Sequence, residues 1–160
     1  MNIFLATSIS SLNSPEKLAE YKKGIRLLAD SLISESHSVH SELFKIESID
    51  NYDSPLDSLS MDMTAISKAD VFILHYPIKK GSSTLIELGY AIAKEKFIIA
   101  LIPSLDVLPF MALGLDAMKH AALVIQSEIN ESCLQQVKFA LEQYNPENAK
   151  NEWRQLIDSD

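Results

Sequence analysis

The chain has 160 residues, 47% of them hydrophobic, which suits one domain with a buried core and leaves too little for two. Its net charge of -8 argues against a surface that follows DNA or RNA phosphates, but it allows a small phosphorylated ligand in a pocket. Cys133 is the only cysteine, so we expect no internal disulfide and no thiolate metal cluster, and we interpret Cys133 as a core residue.

The N-terminal ten residues, MNIFLATSIS, lack the basic segment and the long apolar run of a signal peptide. No apolar stretch in the sequence approaches the roughly 20 residues that cross a bilayer. We therefore predict a cytoplasmic protein without a membrane partner, folded as a single domain over residues 1–160.

The first 70 residues show strand and helix patterns in alternation. Asn2–Thr7 is a short apolar run that predicts a buried first strand. Ser14-Pro15 has the pattern of an N-cap followed by proline, and apolar residues at helical spacing continue from there to about Ser34. Val39–Ile46 predicts a second strand with two polar interruptions. Asn51–Leu59 then predicts a loop that leads into a helix from about Leu59 to Lys68.

The second half contains the clearest strands, which are continuous apolar runs at Val71–Leu74, Phe97–Ile102 and Ala121–Ile125. Pro77–Ser82 predicts a loop between the first of these strands and a helix from about Ser83 to Lys94. The pattern at Leu105–Leu115 favours no single element. Two C-terminal helices are predicted at about Glu131–Tyr144 and Pro146–Ile157.

This alternation predicts an α/β fold, a flavodoxin-like three-layer sandwich with a five-stranded parallel sheet in the order 2-1-3-4-5. In such a sheet the strand order reverses between strands 1 and 3, and ligands bind beyond the carboxyl ends of the strands at that point. The loops Ala6–Asn13 and His75–Ser83 are predicted to meet there.

The first of these loops carries small hydroxyl side chains, including Thr7, Ser8 and Ser10, together with backbone N–H groups. These groups suit the oxygens of a sugar or a phosphate, although a solvated loop that leads to a helix cap would have the same composition. The sequence contains no Gly-x-Gly-x-x-Gly or P-loop motif, which disfavours dinucleotide oxidoreductases and P-loop enzymes.

The second loop runs through Gly81, Ser82 and Ser83 into a predicted helix that carries Glu87 about one turn in. Thr84-x-x-Glu87 has the spacing of a capping box, in which the carboxylate would stabilise the start of the helix. At the predicted ligand site, the same carboxylate has a second possible role, as a nucleophile that forms a glycosyl intermediate. Local sequence leaves both interpretations open.

Two further residues have open roles. Asp62 lies within a predicted helix, either exposed or facing the site as a proton donor or hydroxyl acceptor. His75 ends a central strand, where it either touches a ligand or serves as a structural histidine. The four histidines show no metal-binding spacing, so we expect neither a metal nor a cofactor.

The stretches Ala69-Asp-Val and Glu87-Leu-Gly-Tyr-Ala, with Phe4-Leu-Ala-Thr-Ser near the N-terminus, resemble the nucleoside 2-deoxyribosyltransferase-like superfamily over roughly the first 125 residues. That superfamily includes the 2'-deoxynucleoside 5'-phosphate N-hydrolases. The resemblance implies cleavage of the N-glycosidic bond of a nucleoside or nucleotide, with Glu87 as nucleophile and Asp62 as its catalytic partner. It also implies a homodimer or higher homo-oligomer. The residues expected to bind substrate are Phe4, Ala6, Thr7, Ser8, Ser10, His75, Gly81, Ser82 and Ser83.

The sequence departs from the superfamily at two of these positions. Phe4 stands where many transferases have a tyrosine, and Gly81 stands where they often have an aspartate. Two other functions are therefore kept as alternatives. One is cleavage of NAD by a TIR-like hydrolase, and the other is a nucleotide-binding or interaction module with a degraded site. Transfer to another base and hydrolysis by water both remain open.

Overall fold

The core of the protein is a sheet of five parallel strands in the order β2-β1-β3-β4-β5. The computed structural model describes residues 1–8, 14–46, 54–80 and 82–145. Its strands are β1 (Asn2–Thr7), β2 (Ser38–His40), β3 (Val71–His75), β4 (Phe97–Ile102) and β5 (Ala121–Ile125). The α-helices within these ranges are α1 (Pro15–Ser34), α2 (Pro55–Lys68), α3 (Thr84–Ala93) and α4 (Glu131–Glu142). The predicted flavodoxin-like fold and strand order are confirmed.

Side chains alternate between the two faces of the sheet, and each face is covered by helices. On β1, Ile3 and Leu5 face the cluster that contains the buried residues of α1 and α4. Phe4 and Ala6 face the opposite cluster, to which α2 and α3 contribute. Because both faces are buried, the central strands are apolar throughout, which explains why the sequence predicted them well.

The second strand is shorter than predicted. β2 covers only Ser38–His40, and a 3₁₀ turn at Glu42–Phe44 replaces the rest of the expected Val39–Ile46 strand. The turn buries Leu43 completely in the core cluster under α1. The apolar residues in this segment therefore reach the core through a turn, so the chain leaves the sheet edge early and brings Glu42 towards the site.

The second helix begins earlier than predicted. α2 starts at Pro55, whereas the sequence pattern indicated about Leu59. Ser54 is the N-cap, and its Oγ accepts a hydrogen bond from the Asp57 N–H at 3.2 Å. The same Ser-Pro arrangement begins α1 as predicted, where Ser14 Oγ accepts from the Lys17 N–H at 3.3 Å.

The segments after β4 complete the fold. Residues Leu105–Leu115, which the sequence left unassigned, contain 3₁₀ turns at Leu105–Val107 and Phe110–Ala117. α4 begins after the N-cap Asn130, close to its predicted start. The second predicted C-terminal helix, 146–157, lies outside the described residues. Within the described ranges, no helix has both the length and the apolar character that crossing a membrane requires.

Candidate functional site

The candidate site lies where the strand order reverses, at the carboxyl ends of β1 and β3. Thr7 and His75 are register partners at the ends of these two strands. Thr7 and Ser8 are both buried, with Ser8 fully so. The crevice at such a reversal is the usual ligand position in open parallel sheets. Two predicted site residues, Ser10 and Gly81, lie outside the described residues.

Glu87 lies in the first turn of α3 and is only 9% exposed. The capping box that the sequence allowed between Thr84 and Glu87 is not formed. The N-cap of α3 is Ser83, and among the described residues the Glu87 carboxylate makes no capping hydrogen bond. The Thr84 hydroxyl instead donates to Ser82 Oγ at 2.8 Å. The Glu87 carboxylate is therefore not engaged at the start of its own helix.

The electrostatics of Glu87 show which groups surround it. Burial, followed by the negative charges of Asp62 and Glu42, together raise the pKa of its carboxyl to about 8. A carboxylate surrounded by other carboxylates holds its proton more tightly, since each added charge disfavours ionisation. Perturbed carboxyls of this kind are concentrated at functional sites.

Asp62 on α2 is the second carboxyl of the site. Its Oδ1 atom is buried and makes no hydrogen bond within the part of the chain that the structure describes. The pKa of Asp62 is raised to about 6, mainly by burial and then by the charge of Glu42, which together outweigh the opposite effects of His40 and Lys45. The sequence left open whether Asp62 is exposed on its helix or faces the site. Asp62 is partly buried, which excludes the exposed position.

The C-terminal end of α2 is hydrogen-bonded to α3 and to the segment that follows α3. These bonds connect the two helices that carry the carboxyls. The Lys96 ammonium donates to the backbone carbonyls of Ser67 at 2.9 Å and Ala69 at 2.7 Å, at the C-terminus of α2. The Tyr90 hydroxyl of α3 lies 2.9 Å from Ser67 Oγ. The two Lys96 bonds satisfy backbone carbonyls that the end of a helix leaves without an internal partner.

His40, Glu42 and Lys45 were not predicted as site residues. Glu42 Oε1 lies 2.8 Å from both His40 Nε2 and Lys45 Nζ. One ligand atom from each of His40, Glu42 and Asp62 lies within 4.8 Å of the others. The available signal was the polar interruption of the predicted second strand, which marks the point where the chain turns from the sheet edge towards the site.

His75 is held by Tyr21 of α1, the helix on the face of the sheet opposite α2 and α3. Its Nδ1 is 2.7 Å from the Tyr21 hydroxyl of α1, and the two ring centroids are 5.2 Å apart. Burial lowers the pKa of His75 to about 4, so its imidazole is neutral at pH 7. The Tyr21 oxygen also hydrogen-bonds the backbone of Ser8. Tyr21 therefore links the ends of β1 and β3, which supports a structural role for His75.

We expect Tyr21→Phe to lower the free energy of unfolding by about 1–2 kcal/mol, because it removes a partly buried hydroxyl that links two strand ends. Urea unfolding monitored by circular dichroism measures this change. Tyr90→Phe is the matched control, since it removes a hydroxyl whose bond to Ser67 is exposed and is expected to cost less than about 0.5 kcal/mol. Equal effects in the two variants would contradict a linking role for Tyr21.

The other predicted binding residues occupy different positions around this site. Phe4 is 2% exposed and stacks with His40 on one side and Phe72 on the other, with centroid distances of 5.4 and 5.6 Å. Ala6 is also buried on the Phe4 face of the sheet. Ser82 is partly buried and Ser83 is exposed at the start of α3. Their contacts with substrate stay predictions.

The second loop has an internal contact that the sequence did not indicate. Tyr76 is almost completely buried directly after β3, and its hydroxyl donates to the backbone carbonyl of Lys80. This bond fixes the course of residues 77–80, which lead towards α3. A buried tyrosine ring with a partnered hydroxyl is a stable anchor for a loop beside a site.

The fold and these carboxyls define an α/β protein with one buried and one partly buried carboxyl beside the switch point of a flavodoxin-like sheet. The chain is similar to the CMP N-glycosidase BcmB of Clostridium botulinum, with 25% identity and a TM-score of 0.65 over 87% of this chain and 99% of that enzyme. The predicted resemblance to the nucleoside 2-deoxyribosyltransferase-like superfamily is thereby confirmed. BcmB is an N-glycosidase, which is the kind of enzyme that the sequence resemblance implied.

Two further solved structures are similar in fold. BlsM shares 19% identity, with a TM-score of 0.68 over 98% of this chain and 93% of that chain. A 2-deoxyribosyltransferase of Bacillus psychrosaccharolyticus shares 17% identity, with a TM-score of 0.54 over 84% of this chain and 96% of that chain. No family model matches the sequence, and no curated protein matches it either.

Proposed function

We propose that this protein cleaves the N-glycosidic bond of a nucleoside or nucleotide, with Glu87 as nucleophile and Asp62 as general acid. The supporting observation is the pair itself, two carboxyls on adjacent helices that both bind a proton more tightly than ordinary carboxyls, with pKa values of about 6 for Asp62 and about 8 for Glu87. Such a pair holds one proton between its members near neutral pH, so that one carboxyl is ionised and the other is an acid.

In the first step, a carboxylate oxygen of Glu87 attacks the anomeric carbon as the bond to the base breaks. The bonding electron pair goes to the base nitrogen, and Asp62 supplies the proton that neutralises the leaving base. The product is a glycosyl ester on Glu87. In the second step, water or another base attacks the same carbon and releases Glu87, while the proton of the attacking group returns to Asp62.

This scheme predicts a bell-shaped dependence of kcat/KM on pH. Below about pH 6 both carboxyls are protonated and no nucleophile is available, whereas above about pH 8 both are ionised and no acid remains. Between these limits the pair shares one proton, which lies mostly on Glu87 because its pKa is the higher one, and the productive form is the minority form that carries the proton on Asp62. Initial rates of base release from pH 4.5 to 9.5 test this expectation. A rate that stays constant from pH 5 to 9 would contradict it.

The function is tested by chromatography of released base from a substrate panel, with and without a free acceptor base. The panel contains deoxynucleosides, their 5'-monophosphates, ribonucleotides that include CMP, and NAD. CMP belongs in the panel because BcmB is a CMP N-glycosidase, and NAD covers the TIR-like alternative. Release that depends on Glu87 supports the proposal. If no substrate releases a base at enzyme concentrations that would reveal a single turnover, the nucleotide-binding module becomes the better interpretation.

Self-association belongs to the same proposal. Among the described residues, Ile86, Phe110 and Met111 are apolar side chains with exposures of 64%, 88% and 90%. Ile86 precedes Glu87 on α3, while the other two begin the 3₁₀ turn after β4. Exposed apolar side chains of this size are typical of protein contact surfaces. The homodimer and the cytoplasmic location expected from the sequence stay predictions.

A further inference from the structure

Glu42 is a third carboxylate beside the proposed catalytic pair, and it is held in place by a lysine and a histidine. Its Oε1 atom accepts from Lys45 Nζ and lies beside His40 Nε2, both at 2.8 Å. The Glu42 side chain is 20% exposed, compared with 53% for Lys45. A carboxylate that is mostly withdrawn from water and paired on one oxygen keeps a defined position.

The backbone around Glu42 is anchored on both sides. His40 stacks on the buried Phe4 ring, which itself stacks on Phe72 in the sheet. Leu43, the next residue after Glu42, is fully buried in the core under α1. The backbone of Glu42 is thus attached on each side to a packed core, and its carboxylate is held by the contacts with Lys45 and His40.

The charge of Glu42 acts on both carboxyls of the pair. The charged groups that act on Asp62 are Glu42, His40 and Lys45, together with Glu87 from α3. Those that act on Glu87 are Asp62 and Glu42. Glu42 makes protonation of both more favourable, whereas Lys45, and His40 when protonated, oppose this effect at Asp62.

We propose that Glu42 is a positioning residue whose negative charge, next to Asp62, increases the fraction of the pair that carries its proton on Asp62 for delivery to the leaving base, while Lys45 and His40 oppose that charge. This inference rests on the proposed function. According to this proposal, the segment after β2 controls the pH range in which Asp62 and Glu87 together hold one proton.

The test is a carbon-13 NMR titration of the Asp and Glu carboxyls in wild type, Glu42→Gln and Lys45→Met. Glu42→Gln is expected to lower the pKa of Asp62 by roughly one unit, because a nearby like charge is removed. Lys45→Met is expected to raise it, because a cation is removed. Glu128→Gln, an equal charge change at an exposed position, is the matched control and is expected to leave the titration unchanged.

The same variants are then compared in pH–rate profiles of base release. Both limbs are expected to move to lower pH in Glu42→Gln, because Glu42 acts on both carboxyls, whereas in Lys45→Met the acid limb is expected to move to higher pH, because Lys45 acts on Asp62. A purely structural role would lower the rate at every pH without moving either limb. Unchanged titrations, or shifts of the same sign in both variants, would overturn the proposal.

Failure of this inference is distinguishable from failure of the proposed function. If base is released but Asp62 titrates alike in all variants, only the role of Glu42 is lost. If no substrate releases base while the opposite NMR shifts appear, the charge arrangement stands and the catalytic function fails. Base release that is lost on treatment with EDTA and restored by Mg²⁺ or Zn²⁺ would overturn the inference, since His40, Glu42 and Asp62 would then act as metal ligands.

Discussion

Glu87→Gln is expected to abolish base release, lowering kcat/KM by at least about 10³-fold. Glutamine keeps the size of the side chain and its place in the first turn of α3, but its amide oxygen is too weak a nucleophile to form the glycosyl ester. Because Glu87 makes no capping hydrogen bond among the described residues, the substitution removes no contact that stabilises its helix. The loss therefore reports on chemistry rather than on folding.

Chromatographic rates for wild type, Glu87→Gln and the exposed control Glu128→Gln measure this effect directly. A second observation comes from mass spectrometry of the acid-quenched reaction, in which wild type is expected to carry a glycosyl group on the peptide that contains Glu87. If Glu87→Gln kept more than about a tenth of the activity, the nucleophile would have to be another group. Wild-type rates in Glu128→Gln show that the change in net charge alone has no effect.

Glu87→Gln is also expected to make the protein more stable relative to wild type as the pH rises. The folded-state pKa of Glu87 is about 8, above its ordinary value of 4.5. Between these values the folded protein binds a proton that the unfolded chain releases, so the free energy of unfolding of wild type falls with increasing pH. Glutamine has no such proton. The relative gain between pH 5 and pH 9 is expected to be on the order of 4 kcal/mol.

Urea unfolding gives the free energy of unfolding of wild type and Glu87→Gln at pH 5 and at pH 9. The difference between the two proteins is compared at the two pH values, so that the contributions of all other titrating groups largely cancel. Glu128→Gln is again the control, because an exposed carboxylate contributes little to the pH dependence of stability. An identical stability difference at the two pH values would show that Glu87 ionises as an ordinary carboxyl. The proposed pH profile would then lose its basis.

A gain in stability accompanied by a loss of activity would have a simple physical meaning. Burial of Glu87 near Asp62 and Glu42 costs folding free energy at neutral pH, because the carboxyl is ionised in the unfolded chain and must take up a proton when it is withdrawn from water and placed near like charges. Active sites commonly retain such unfavourable arrangements for the sake of function. Glu87 would be one of these, with a reactive carboxylate maintained at the expense of stability.

Most of the fold was determined by local sequence. β1, β4 and β5 have the predicted boundaries because each is a continuous apolar run buried on both faces. The beginning of α1 was equally clear, because Ser14 and Pro15 form a cap that needs no distant partner. The strand order followed from the alternation of strands and helices, and it predicted a candidate ligand site at the ends of β1 and β3.

Two elements were less predictable for a physical reason. β2 is a three-residue edge strand whose length depends on how Leu43 reaches the core, which is a tertiary contact. The start of α2 was misjudged because the Asp, Ser and Pro residues before Leu59 have loop composition. Ser54 and Pro55 nevertheless form a helix start that resembles the one in α1. In both cases composition indicated one structure and a specific contact selected another.

The candidate site shows where sequence by itself stops. The sequence determined that Asp62 and Glu87 lie on helices that flank the same strand, and it left the role of Glu87 open between a helix cap and a nucleophile. Only the tertiary structure brought Glu42, His40 and Lys45 close to this pair. These residues come from the end of β2 and the turn after it, about 20 to 45 positions before Asp62 and Glu87 in the chain. The physical reason is that burial and Coulomb interactions depend on distances in space, which local sequence patterns do not encode.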